Sequence, residues 1–259
     1  MVVKVNDETV CIQDEEIELL AYDQWTGISI MPDMVSAFVT SNHKRISEVI
    51  SQAGLFLQKW TGNPSFTEYQ TQNPNEVKKQ MTAIYAALQS QNIAYLSVPA
   101  SFENVGQRIR LPYAVLEQKG GTCLDLSLLY LSCLEAIGLH GILIFIKSHA
   151  FVGCWLEDQT FMDCVQDDPA AIAKRFAAGI HKLAVLECTD FVAGKTIEFD
   201  LVEKHAKDYF IKPENFLLSV DIKRCRIGGI RPLPQRIVVD GQYQIVDYGK
   251  REDSLVSCQ

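Results

Sequence analysis

The run Gly120-Gly121-Thr122-Cys123-Leu124-Asp125, with apolar residues at helical spacing from Leu126 to Ile137, constrains this chain more than any other stretch. Thr122 and Asp125 have the spacing of a capping box, in which a hydroxyl reaches forward to orphan N–H groups and a carboxylate reaches back. Gly138 suits the left-handed residue just past a helix end. Together these predict a buried helix with Cys123 in its first turn. Unpaired N–H groups and the positive end of the dipole favour an anion there, so the position suits a thiolate nucleophile. Ser148-His149-Ala150-Phe151, 26 residues further on, places a candidate general base at the head of an apolar strand.

Composition narrows the classes. The chain has 259 residues, 47% hydrophobic and 22% charged, enough apolar material for a real core. Lys+Arg 24 against Asp+Glu 32 gives a net charge of −8, which argues against nucleic acid as the partner of this domain, since phosphate contacts need clustered bases. No apolar run approaches the roughly 20 residues of a membrane span. Acids stand where a secretory leader would be apolar, so no signal peptide is expected. Eight cysteines without a C-x-x-C pair predict neither a zinc site nor a disulfide scaffold, and a reducing cytoplasm is the natural compartment. No metal or cofactor is expected.

Short strands are expected at Thr9-Val10-Cys11-Ile12 and over 17–22. Helices should follow Ser41-Asn42, with Ile46, Val49, Ile50, Ala53 and Leu57 on one face, and Asn73-Pro74. A strand is predicted over 93–98, a polar loop over 101–110 and a short helix from Pro112. Two antiparallel strands, 142–146 and 149–156, follow the Cys123 helix, the second carrying His149, Phe151, Gly153 and Trp155 on one face. A helix over 169–178, a strand over 183–188, a helix over 201–210 and a strand over 216–226 come next. Asp240-Gly241 turns a final hairpin. Helices first, then a sheet with helical insertions, make an α+β fold. The chain divides into an N-terminal strand segment, 1–30, and a main domain, 31–259, or forms one continuous domain.

Attack on a carbonyl carbon needs a thiolate, an imidazole to move the proton and a third group to orient the ring. Cys123 and His149 suit the first two roles. For the third, Asp163 lies 14 residues past His149 and could occupy the next strand, whereas Glu187 ends an apolar strand where a carboxylate needs a partner. Gln107 is a candidate oxyanion donor through its amide. Cys133 in mid-helix, Cys154 on the face opposite His149, Trp60 and Trp155 are expected in the core. Asp167-Asp168 reads as a helix cap, and His181 and His205 have no nucleophile beside them in sequence.

Gly121-x-Cys123-x-Asp125-x-Ser127, then Leu134 to Gly138-Leu139, then His149-Ala150-Phe151, resembles the transglutaminase-like branch of the papain-like cysteine enzymes. That branch carries a third motif, a strand ending in an acid, a small residue and threonine. Leu186-Glu187-Cys188-Thr189 is similar to it with Glu in place of the usual Asp, so the resemblance favours Glu187 over Asp163 and makes the helix over 169–178 an insertion. It implies a papain-like core with the nucleophile helix packed on an antiparallel sheet. A narrower resemblance rests on Ala37-Phe38-Val39-Thr40-x-Asn42-His43, Tyr69-Gln70, 83–88, Ser101-Phe102-x-x-x-Gly106-Gln107-Arg108-Ile109-Arg110 and Arg231-Pro232-Leu233-Pro234. These are similar to the transglutaminase-like domain near the N-terminus of very large bacterial proteins that also carry helicase-like and nuclease-like segments. The expected function is a thiol-dependent hydrolase or acyl transferase acting on an amide or peptide bond of a protein or peptide. Its rival is a catalytically inactive interaction module of the same fold, part of such a larger protein.

Overall fold

In the computed structural model, residues 2–6, 8–12, 19–97 and 107–246 are described. β1 (Val2–Val5) and β2 (Glu8–Ile12) pair as an antiparallel hairpin. The expected strand over 17–22 does not form within the described residues: 19–21 run as coil into a turn at Tyr22-Asp23, and Gln24–Trp25 (β3) is the strand that follows. Residues 17–18 lie outside the described set.

Helix α1 (Lys44–Thr61) begins where His43 Nδ1 accepts from Arg45 N at 3.1 Å and ends at Gly62, whose φ of 77° is the left-handed conformation glycine tolerates. Its stripe Ile46, Val49, Ala53 and Leu57 is buried. Trp60, expected in the core, is instead 46% exposed: it lies beyond Leu57, the last residue by which α1 reaches the core, and tilts on Phe56. Helix α2 (Pro74–Gln89) is capped by Asn73, whose Oδ1 accepts from Asn75 N, and packs against α1.

The strand expected over 93–98 contracts to β4 (Ala94–Tyr95), and β5 (Gln107–Arg108) pairs with β3, while most of the expected polar loop lies outside the described residues. Helix α3 (Pro112–Gln118) leads into β6 (Gly120–Gly121), which runs parallel to β4. Both glycines sit at close approach: a Cβ on Gly120 would meet the end of the Leu96 side chain at 2.9 Å, and one on Gly121 would meet Asp125 Cβ at 3.1 Å, so a larger residue at either makes a neighbour give way.

Helix α4 (Cys123–Ala136) is the centre of the fold, with every residue from Cys123 to Leu134 buried. A helix apolar on all sides must be wrapped, and α1, α2, α3 and the sheet surround this one. Its polar side chains find partners inside. Ser127 Oγ donates to Cys123 O at 2.8 Å, Ser132 Oγ to Leu128 O at 2.8 Å and Tyr130 OH to Met81 O at 2.8 Å.

The sheet itself comprises β7 (Gly141–Ile146), β8 (His149–Trp155), β9 (Val165–Gln166), β10 (Leu183–Leu186) and β11 (Phe216–Asp221). Their order is β10-β8-β7-β11-β9, antiparallel at each pairing. Leu143, Phe145, Ala150, Val152 and Cys154 join the core that contains α4. Ile142, Ile144, Phe151 and Trp155 belong to a second cluster, covered by Ile172 of α5 (Pro169–Phe176) and Ala206 of α6 (Phe199–Asp208). The strand predicted over 216–226 stops at Asp221, because its Oδ1 accepts from Arg224 N at 2.9 Å and caps α7 (Ile222–Ile227). β12 (Gln235–Val239) and β13 (Gln242–Val246) form the expected hairpin, with φ of 52° at Asp240 and 77° at Gly241. The fold is α+β with an antiparallel sheet, and among the described residues no helix is long and apolar enough to cross a membrane.

Candidate active site

Cys123 is the first residue of α4 and 6% exposed. The capping box behind it is complete: Asp125 N donates to Thr122 Oγ1 at 3.2 Å, and Thr122 N donates to Asp125 Oδ2 at 3.0 Å. Asp125 also ties the helix start to the preceding segment, accepting from Arg110 N at 2.8 Å. Burial raises the Asp125 pKa, against the bonds from Thr122 and Arg110.

His149 opens β8 directly after Ser148, whose φ of 61° turns the chain back from β7. Nε2 lies 2.7 Å from Glu187 Oε2, and Cys123 is close enough to act on the ring. With Nε2 committed to the carboxylate, Nδ1 is the nitrogen left to face the sulfur. Burial acts to lower the His149 pKa, but the bonds and charges of Cys123 and Glu187 outweigh it and push the value up to about 10. The ring is therefore an imidazolium at neutral pH, a donor at both nitrogens.

Glu187 does not lie on the strand expected over 183–188. β10 stops at Leu186, and Glu187 caps a 3₁₀ turn (Cys188–Asp190), its Oε1 accepting from Thr189 N at 2.7 Å. Its other oxygen accepts from His149 and from Tyr209 OH, the latter at 2.9 Å. Burial pushes the Glu187 pKa up, but the His149 bond and charge and the Thr189 bonds leave it below the ordinary value. A carboxylate 2% exposed thus stays ionised because each oxygen is hydrogen-bonded.

β8 and β10 are neighbours, which brings His149 and Glu187 together. Asp163, the alternative acid, is exposed on a bend ahead of β9. Gln107 is buried on β5, and its Oε1 has no hydrogen-bond partner among the described residues. No hydrogen bond of its side chain reaches Cys123 there, although the Arg110 N–Asp125 bond brings this segment to the start of α4. Cys133, Cys154 and Cys188 are fully buried, and burial pushes each thiol up. His181 is exposed. His205 Nδ1 lies 2.6 Å from Asp190 Oδ2, and Lys195 Nζ lies 3.1 Å from Oδ1, so this pair braces the turn that Glu187 caps.

Sequence reasoning missed two tyrosines. Tyr95, on β4 opposite Gly121, is close enough to Cys123 and Glu187 for their charges, after burial, to raise its pKa. It places a phenol near the sulfur. Tyr209 packs on His149 with ring centroids 5.3 Å apart. Neither has a spacing signature, since Tyr95 is exposed and Tyr209 half-buried and both are brought to the site by the fold alone. Among the described residues no group of three or more His, Cys, Asp or Glu side chains is placed to hold a metal ion.

Chemically, the arrangement offers a sulfur at a helix start, a proton on the neighbouring ring and an ionised acid holding that ring. No protein-family model, curated protein or solved structure shows a significant match to this chain.

Proposed function

We propose that this chain is a thiol-dependent hydrolase or acyl transferase of the transglutaminase-like, papain-like kind, acting on an amide or peptide bond of a protein or peptide. The observation that carries the reading is the grouping of Cys123, His149 and Glu187: a ring 2.7 Å from a buried carboxylate, with Cys123 at the helix start close enough to act on the same ring. The nucleophile helix packed on an antiparallel sheet supports it as well. In this reading the Cys123 thiolate attacks the carbonyl carbon, and the charge on the carbonyl oxygen is met by N–H groups at the start of α4 and by the Tyr95 phenol. His149 then gives its Nδ1 proton to the departing amine, leaving a thioester on Cys123. Water or an amine attacks the thioester, with His149 taking the proton back. Glu187 keeps the imidazolium oriented and charge-balanced throughout. Gln107 would be a further oxyanion donor.

The module reading draws on one observation, the 6% exposure of Cys123. Incubation with a pool of peptides and protein-derived amides in the presence of hydroxylamine separates the two. An enzyme yields hydroxamates in wild-type protein and none in Cys123→Ala or His149→Ala. A module yields none in any of the three.

A further inference from the structure

Of the groups around the relay, Tyr209 is the one to which the mechanism assigns nothing. It lies immediately after α6, in the 3₁₀ turn Tyr209–Ile211. Its hydroxyl donates to Glu187 Oε2, the same oxygen that faces His149. Its ring lies 5.3 Å from that of His149 and 5.1 Å from that of Phe151, centroid to centroid. A free carboxylate can rotate about its last torsion and offer either oxygen. Here Thr189 N holds Oε1 and Tyr209 holds Oε2, so the oxygen presented to Nε2 is fixed. The same tyrosine restrains the imidazole by packing on it. Two properties of one side chain therefore set both halves of the pair.

We propose that Tyr209 is a positioning residue of the site, holding the Glu187 carboxylate through its hydroxyl and the His149 ring through its face. This rests on the thiol-enzyme reading. The chemical consequence is specific. A buried carboxylate loses one of its three donors when the hydroxyl is removed, so its protonation moves to higher pH. Phenylalanine keeps the ring and removes only the donor. The titratable groups that act on or feel the Glu187 charge are His149 on β8, Tyr85 on α2, Tyr95 on β4, Cys188 on its own turn and Tyr209 itself, with Cys123 and Asp190 acting on the same tyrosines. Of these, only the Tyr209 hydroxyl is altered by Tyr209→Phe.

The test is the rate of Cys123 alkylation by iodoacetamide from pH 4 to 9, read by peptide mass spectrometry, in wild type, Tyr209→Phe, Glu187→Gln and the double variant. The expected result is an acid limb that moves up by about one pH unit in Tyr209→Phe, the size of one charge-assisted hydrogen bond. In the Glu187→Gln background the tyrosine change should move nothing further. Superimposed profiles for wild type and Tyr209→Phe would overturn the proposal. So would an equal shift with and without the Glu187 carboxylate, or a loss of thermal stability with an unmoved profile. Should the wild-type profile show Cys123 reacting no faster than Cys133, it is the thiol-enzyme reading that fails, before Tyr209 is in question.

Discussion

Replacing Glu187 by glutamine keeps the shape of the side chain and an acceptor for Thr189 N but removes the charge that faces His149. The structure sets the size of the effect. His149 is raised from 6.5 to about 10, which at ~1.4 kcal/mol per pH unit amounts to roughly 5 kcal/mol favouring the charged ring. Cys123 and Glu187 both contribute, against burial; an opposite charge at hydrogen-bond distance shifts a pKa by about 1–3 pH units, so the carboxylate's share is ~2–3 kcal/mol. The sign follows from linkage. A folded-state value above the unfolded one stabilises the fold fully below pH 6.5 and loses that contribution as pH rises through about 10. Glu187→Gln should therefore lower stability at pH 7 by about 2 kcal/mol and bring the His149 midpoint down by about two pH units. Two readouts check this: urea unfolding at pH 7, and the His149 ring signals followed by NMR between pH 5 and 11. A His149 midpoint unchanged by the substitution would refute the claim that Glu187 holds the proton on the ring.

Iodoacetamide at neutral pH should label Cys123 before Cys133, Cys154 or Cys188, which are fully buried with thiols held in the neutral form by burial. Peptide mapping after limited labelling reads the order. Asp125→Ala removes the carboxylate that accepts from Thr122 N and from Arg110 N, while the backbone N–H of residue 125 keeps its bond to Thr122 Oγ1. It should cost about 3 kcal/mol and lower Tm by roughly 6–12 °C, measured by calorimetry.

Legibility in the sequence followed the range of the interaction. The capping box at Thr122 and Asp125 is local, three residues apart, and its bonds form as the spacing implies. His149 at a strand head is equally local, and the neighbouring strand brings Glu187 to its ring. Where elements end was harder. Asp221 turns an apolar run into a helix by capping it, and Glu187 leaves β10 for the same reason, since both side chains accept backbone N–H bonds that compete with strand continuation. Trp60 has the size and apolarity of a core residue but lies past the last buried contact of α1. Tyr209 stands 22 residues from Glu187 and Tyr95 stands 28 from Cys123, and contacts of that kind exist only once the chain is folded.

The central claim is that Cys123 forms the covalent intermediate. Its most direct test is the turnover of whichever amide wild-type protein cleaves or transfers, measured beside folded Cys123→Ala. The rate should fall by at least about 10³-fold, because members of such a relay act as a unit. Stability should change little, since losing one sulfur at the start of a helix opens no large cavity. Turnover by Cys123→Ala at the wild-type rate, in protein with wild-type Tm, would contradict the claim whatever the geometry of His149 and Glu187.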